Sequence, residues 1–461
     1  MRRSSLKAGI LLVLGLVVAS TCALLILGPY DLDKALLAQM FLVCGAAALV
    51  FFLHFPQMGL LFVLVGGLLI AQRLGTGTQS GLNGAMLVIP VLTGVWLIHK
   101  FYRRREAPPV SSRSIVPLYV FMGVAVLAFI VGQYPWFPTV DSPITAQLAQ
   151  LGIFLFSGLI FILAAQYLQD KQWLNWVVWL FLLIGAGHLG LRLVPTVRDQ
   201  MRGLIPEVVQ SGSMFWTWLV AMAFGQFLLN RDLRPLPRLV AGGIAATALG
   251  ITMYQTRDWL SGWVPALVAV GVIVVLRYPR LSFLAVPLGA AAILVIGVST
   301  FEGYVTGGDN LYSLETRGAA IQSLWPILSA NPLLGLGPAN YYSYTLLFPI
   351  LGWYVNYSSH NNYLDLIAQT GFVGLGCFLW FAWSVGKTAW DLCHERLSGF
   401  DQAYVYGALG GLVATMGAAA LGDWVIPFVY NTGFEGFRSS VLPWLFLGGM
   451  VALEQRVRRS A

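Results

Sequence analysis

The chain is a succession of apolar runs, most of them near the length that crosses a lipid bilayer. About 20 consecutive apolar residues span the hydrocarbon core as a helix. Runs of this kind fall at 8–28, 35–53, 57–71, 82–101, 115–134, 146–168, 172–191, 211–229, 238–255, 260–276, 281–299, 361–384, 402–422 and 441–455. The run at 57–71 is short and reads as half-buried. In hydrocarbon every backbone N–H and C=O must be bonded within the protein, so only helices and closed barrels span it. A barrel is written as short alternating strands, and these runs do not alternate. The expected fold is an all-α polytopic membrane protein with about 14 transmembrane helices. Composition agrees, because only 10% of residues are charged against about 25% in soluble domains.

Basic residues set the expected orientation. With the N-terminus in the cytoplasm, 19 of the 27 Lys and Arg fall on the inner side. Among them are Arg2, Arg3, Lys7, Arg103, Arg104 and Arg105. The outer side keeps Lys34, Arg73, Arg192, Arg198, Arg202, Arg257, Arg317 and Arg438. Both termini are then cytoplasmic. The first run follows MRRSSLK and has no convincing cleavage site, so it reads as an uncut first helix. The net charge of +8 reflects this inner bias and attraction to anionic lipid, and it gives no reason to expect nucleic acid. Cys22, Cys44, Cys377 and Cys393 offer no pair in the outer loops, so no disulfide framework is implied. No ligand spacing suggests a metal site, and no cofactor is expected.

The organisation is a single membrane domain in three stretches: helices over 1–299, an outer loop over 300–359, and helices over 360–461. No internal repeat is evident, which weakens a transporter reading. Two outer loops are long, 192–210 and 300–359, and long ordered loops usually carry function. In the second, Arg317, Ala320, Ile321, Leu324, Trp325 and Leu328 recur at helical spacing and predict an amphipathic helix. Pro326 should kink that helix or end its first half. Asn331-Pro332 stops it, and Gly335, Gly337 and Pro338 make a turn. Tyr341, Tyr342 and Tyr344 follow, either as sugar-stacking rings or as the interfacial aromatic belt.

Against this background His360 stands out. It opens the run HNNYLDLIAQTGFVG at the expected outer end of a span. Ser358 or Ser359 is the expected cap of that helix. The positive helix end disfavours an added proton on the ring, and a neutral imidazole works as a base near neutral pH. The plainer reading is a histidine that caps the helix or bonds a loop carbonyl. His188, within a span near Arg192, is its rival. Arg257, Arg317 and Arg202 face the same expected compartment as His360. Each arginine has a plain alternative as an interfacial snorkelling residue. Together, a base and several arginines suit a diphosphate leaving group displaced by a hydroxyl. Asp365 lies within the span, where an acid is costly and faces the bundle interior. It either orients a catalytic group or pins helices. Gly371, Gly374 and Gly376 read as places where helices approach closely.

Three stretches carry a resemblance to a known family. His360-Asn361, nine residues, Gly371, two residues and Gly374 resemble the His-Asn-x9-Gly-x-x-Gly signature of O-antigen ligases. TRGAAIQSLWPILSANPLLGLGPANYY is similar to the segment before that histidine, and YQTRDWLSGW to its Ser-Arg-Gly turn, although Asp258 stands where glycine is common. The resemblance covers roughly 240–385. It implies a C-type, metal-independent, inverting glycosyltransferase of the O-antigen ligase, polymerase and O-oligosaccharyltransferase group. The donor would be a glycan on undecaprenyl diphosphate and the acceptor a lipid or glycan. By the same resemblance His360 looks like the catalytic base, with Arg257 and Arg317 as diphosphate ligands. Arg202 is the third candidate, with Arg198 or Arg192 in its place as alternatives. Asn361, Asp365 and Trp325 are the expected supporting residues. The site would face outward from the cytoplasmic (inner) membrane. A ligase acting on lipid A-core is the first expectation and a polymerase of the same family the second. A polysaccharide flippase or transporter and a non-enzymatic glycan-binding partner are the readings from other classes.

Overall fold

The computed structural model describes residues 45–75, 81–102, 110–256, 259–280 and 309–460, and for 309–317 the backbone alone. The expected spans at 8–28 and 281–299, and the first part of 35–53, lie outside the described residues. Each of the other expected runs is a helix. In chain order these are α1 (Gly45–His54), α2 (Pro56–Leu68), α3 (Gly84–Tyr102), α4 (Ile115–Val131), α5 (Ile144–Tyr167), α6 (Lys171–Leu193) and the short α7 (Pro195–Gln200). There follow α8 (Ser213–Leu229), α9 (Pro235–Gln255), α10 (Leu260–Arg277), α11 (Asp309–Ala330), α12 (Asn340–Tyr344), α13 (Asn362–His394), α14 (Gly399–Leu421) and α15 (Gly433–Ser460). Eight are long and apolar enough to cross a membrane, and four shorter apolar helices join them. The protein is an all-α polytopic membrane protein.

α15 runs through the middle of the bundle. A helix that is apolar all round lies in a protein core or in lipid, and α15 takes the core: 94% of its span window is buried. Close approach is bought by glycine: a Cβ on Gly448 would stand 2.4 Å from the Phe161 carbonyl of α5. The first turn of α15 carries Arg438, wholly buried, which was expected among the outer cations. It pairs with Glu435 at 2.7 Å and donates to the carbonyls of Gly67 (3.1 Å), Ile70 (2.6 Å) and Ala71 (3.2 Å). Those carbonyls close and follow α2, where a helix leaves acceptors unbonded, so Arg438 completes that end. At the far end of α15, Arg456 meets Asp401 at 2.6 Å and Lys171 meets the same carboxylate at 3.8 Å.

α13 is the helix that positions the site, and it is broken. Gly371 has φ 69° and ψ −176°, a region open in practice only to glycine. The break frees backbone groups, and the segment after α11 takes them up. Phe372 N–H donates to Pro332 O (2.8 Å) and Val373 N–H to Leu333 O (3.2 Å). In return Leu336 N–H donates to Ala368 O (2.8 Å) and Gly337 N–H to Gln369 O (3.1 Å). A Cβ on Gly371 would lie 2.0 Å from Leu333 O. This corrects the reading of the glycines as helix–helix contacts. Gly371 admits loop backbone into a helix break, the nearest neighbour of Gly374 is the Thr370 side chain, and Gly376 faces open space.

α11 departs from expectation in the residues it buries. It passes through Pro326 and ends at Ala330. Its buried face is Ala320, Leu324, Ile327 and Leu328, whereas Ile321 and Trp325 are exposed. Trp325, expected as a supporting residue, is 61% exposed.

The glycine assignment has a direct check. Gly371→Ala should lower stability by at least about 1–3 kcal/mol from backbone strain alone, read as the midpoint of thermal unfolding in detergent. Gly376→Ala should stay within about 1 kcal/mol of the parent. Equal midpoints for the two variants would remove the special role of Gly371.

Candidate active site around His360

The SHNN stretch assigns a separate task to each residue. Asn361 is the cap of α13: its side-chain oxygen accepts from Tyr363 N–H (2.9 Å) and Leu364 N–H (3.4 Å). Its amide donates to Ala420 O at 3.2 Å, near the end of α14. Asn362 holds the loop between α14 and α15. Its oxygen accepts from Val425 N–H (2.9 Å) and Ile426 N–H (3.4 Å), and its amide donates to Ile426 O (2.7 Å). The expected caps, Ser358 and Ser359, do not cap. The Ser359 hydroxyl lies 2.7 Å from Asp365 Oδ1 and accepts from Asn361 N–H at 3.1 Å.

His360 is therefore relieved of any capping duty. It has φ 49°, a left-handed turn that costs a residue with a Cβ about 1–2 kcal/mol. The turn is held from both sides by the Ser359 and Asn361 bonds, and it leaves the imidazole exposed. Strain of this kind persists only where the surroundings over-determine it, and it gathers at functional sites.

A buried acid stands behind the ring. Asp423, 2% exposed, accepts from Phe428 N–H (2.9 Å), the Thr432 hydroxyl (2.9 Å) and the Asn431 amide (2.6 Å). The same Asn431 nitrogen lies 3.1 Å from His360 Nδ1. Because a carboxylate oxygen can only accept, the Asn431 group facing it is the NH2. Its second hydrogen then points to Nδ1. Nδ1 is the acceptor, and in the neutral ring the proton resides on Nε2.

Asp365 belongs to a second cluster. It is 2% exposed, and its Oδ1 accepts from the Tyr341 hydroxyl at 2.5 Å as well as from Ser359. Tyr341 is fully buried and stacks on Phe428, with centroids 4.9 Å apart. Burial, then the neighbouring Asp365 carboxylate, pushes the Tyr341 phenol well above its ordinary pKa, so it stays a donor. Asp365 thus joins three segments: α12, the turn before α13 and α13 itself. Tyr344 donates to Asp141, and Tyr342 stacks on Tyr430 at 4.3 Å. The three tyrosines are all packed at the site end.

The remaining candidates fall differently. His188, the rival base, is 1% exposed with both ring nitrogens engaged: Nε2 with Leu68 O (2.8 Å) and Nδ1 with the Gln210 amide (3.1 Å). Arg192 donates to that same Gln210. Arg202 is exposed and lies 3.6 Å from Asp199 and 3.7 Å from Glu207. Arg198 lies 3.5 Å from Asp199. Arg257, with Asp258, lies outside the described residues, as does the side chain of Arg317. The acid and amide behind His360, Asp423 and Asn431, were missed in the sequence. Their signal was there in GDWVIPFVYNTG, a polar and aromatic loop between two apolar helices.

The helical bundle defines a multi-pass membrane protein, with a strained, exposed histidine at the mouth of a broken span as its candidate site. Residues 242–379, a little under a third of the chain, match the family model described as O-antigen ligase, which supports the family resemblance read from the sequence. Members of that family are glycosyltransferase-like ligases and polymerases. The match covers most of α9, then α10, α11, His360 and the Gly371 break, and it stops before Asp423 and Asn431. No curated protein matches the chain.

The cap assignment predicts a contrast at one position. Asn361→Ala should lose about 1 kcal/mol, whereas Asn361→Asp should keep most of it, because a carboxylate also accepts from the first-turn N–H groups. Chemical unfolding of both variants in micelles measures this; equal losses would mean that the Ala420 bond, and not the cap, is what Asn361 supplies.

Proposed function

We propose that the protein transfers a glycan from undecaprenyl diphosphate to an acceptor hydroxyl at the outer face of the cytoplasmic membrane. Both termini lie in the cytoplasm in this reading. The observation that carries it is His360, held in a left-handed turn inside the family-matched segment, with Nδ1 as its basic nitrogen. The acceptor oxygen attacks the anomeric carbon and its proton passes to His360. The bond from that carbon to the diphosphate oxygen breaks with its electron pair leaving on the diphosphate, so the anomeric configuration inverts. Charge that grows on the leaving group calls for fixed cations. Arg257, between α9 and α10, and Arg317, on α11, fill that role here. Arg202 is the weaker third ligand, since two carboxylates already lie beside it. The reaction proceeds without a metal, as the family resemblance implies.

A lipid A-core acceptor makes the protein a ligase, and a second lipid-linked glycan makes it a polymerase. The same assay separates them. In proteoliposomes with an undecaprenyl-diphosphate glycan and each acceptor in turn, the parent should transfer glycan. His360→Ala should transfer about 10²–10⁴-fold more slowly, the range of a lost general base. Undiminished transfer by that variant would place the base elsewhere, and donor crossing the bilayer untransferred would make the protein a transporter.

A further inference from the structure

A cavity of about 950 Å³ lies beside the His360 turn. Its walls come from the start of α5 (Thr145, Ala146), the region before α8 (Ser211) and the loop into α15 (Tyr430, Asn431, Thr432). Tyr342 completes the wall, and its ring is stacked on Tyr430 with planes 13° apart. Three features of this cavity fix what it suits. Its paired tyrosines offer an aromatic platform of the amphipathic kind that packs an apolar face and keeps a hydroxyl. Its polar lining is mostly neutral: hydroxyls of Thr145, Ser211 and Thr432, and the Asn431 amide. Among the described lining residues the charged ones are Arg73 and Glu435, 3.7 Å apart; Glu435 also pairs with the buried Arg438 at 2.7 Å, which leaves Arg73 as a single cation on the wall. A diphosphate calls for several fixed cations, and the described wall offers one; a sugar needs ring faces and hydrogen-bonding groups, which make up most of it.

The position of Asn431 joins this cavity to the chemistry. Asn431 lines the cavity, and its amide is the group that touches His360 Nδ1. The basic nitrogen of the ring is therefore turned toward the cavity side, with one exposed asparagine between them.

We infer that this cavity is the acceptor site: a sugar of the acceptor packs on Tyr342 and Tyr430 and presents its hydroxyl to His360 Nδ1 from the Asn431 side. The inference rests on the transfer reaction proposed above. As the sugar enters, the Asn431 amide turns from Nδ1 and the hydroxyl takes its place. The O–H bond breaks with the proton going to Nδ1, the new glycosidic bond forms, and the diphosphate leaves with its electron pair. The ring is then an imidazolium, and the Asp423 carboxylate behind Asn431 favours that charge. In the reaction proposed above the donor diphosphate is the task of Arg257 and Arg317, and the cavity is assigned to the acceptor alone.

The test is a two-substrate kinetic comparison of the parent, Tyr430→Ala and Ala146→Trp in proteoliposomes, with lipid-linked glycan and lipid A-core prepared from cells that make the protein. Tyr430→Ala removes half the platform, and Ala146→Trp fills the cavity from α5, outside the His360 network. A rise of about 10-fold or more in acceptor KM in both variants, with donor KM within about 2-fold, is the expected result. It corresponds to at least about 1.4 kcal/mol of lost acceptor binding. Running lipid A-core and a second lipid-linked glycan as acceptors identifies which sugar source the cavity takes. Unchanged acceptor KM in both variants would overturn the acceptor site while leaving the transfer reaction standing. A rise in donor KM alone would give the cavity to the donor and overturn it too. Absence of transfer by the parent with either acceptor would remove the transfer reading, and this inference with it. Thermal unfolding midpoints equal to the parent's exclude simple misfolding, and Ala146→Ser, which leaves the cavity open, should retain the parent's acceptor KM.

Discussion

The architecture of the site depends on one obligation: backbone N–H and C=O groups removed from water must find partners within the protein. A continuous α13 would satisfy its own. The break at Gly371 releases groups on both sides of itself, and residues 332–337 bond four of them. That pairing does two things at once. It makes an interrupted helix tolerable at that depth, and it clamps the chain between α11 and α12 against α13. Tyr341, a few residues on, then reaches Asp365 and Ser359 beside the His360 turn. Remove the break and the turn loses its neighbours, because the segment that carries Tyr341 has no other backbone bonds to α13 among the described residues.

The helices were legible because length and apolarity suffice to specify a span. The loop helix at Asp309–Ala330 and its stop before Pro332 were legible for local reasons, periodicity and an Asn-Pro pair. At Pro326 the local reading left two outcomes, a kink or an end; the helix continues through it, with Leu324, Ile327 and Leu328 buried on either side. The glycines were misread because small residues within a span suit helix contacts and breaks equally, and only the partner decides. That partner lies some forty residues earlier in the chain.

The candidate site was legible at His360 and Asn361, where residue type and position coincide with a helix start. It was not legible at Asp423 and Asn431. Their link to His360 is a tertiary contact across about seventy residues, and no spacing rule reports it. The tyrosines show the same limit. Tyr341, Tyr342 and Tyr344 are neighbours in sequence, yet one bonds Asp365, one stacks on Tyr430 and one bonds Asp141.

The two asparagines after His360 divide the site end into parts that can vary separately. Asn362 fastens the loop bearing Asp423 and Asn431 by three bonds to that loop's own backbone, two of them to Ile426. None of these bonds involves a side chain of the cavity wall. The 332–337 seam likewise uses main-chain groups alone. Wall side chains outside the Asp423 and Arg438 networks, such as Thr145 and Ala146, are consequently exchangeable without loosening the frame that presents the imidazole, whereas Asn431, Thr432 and Glu435 belong to it. A lineage could reshape the cavity by substitution at those wall positions and leave the main-chain frame under His360 unchanged.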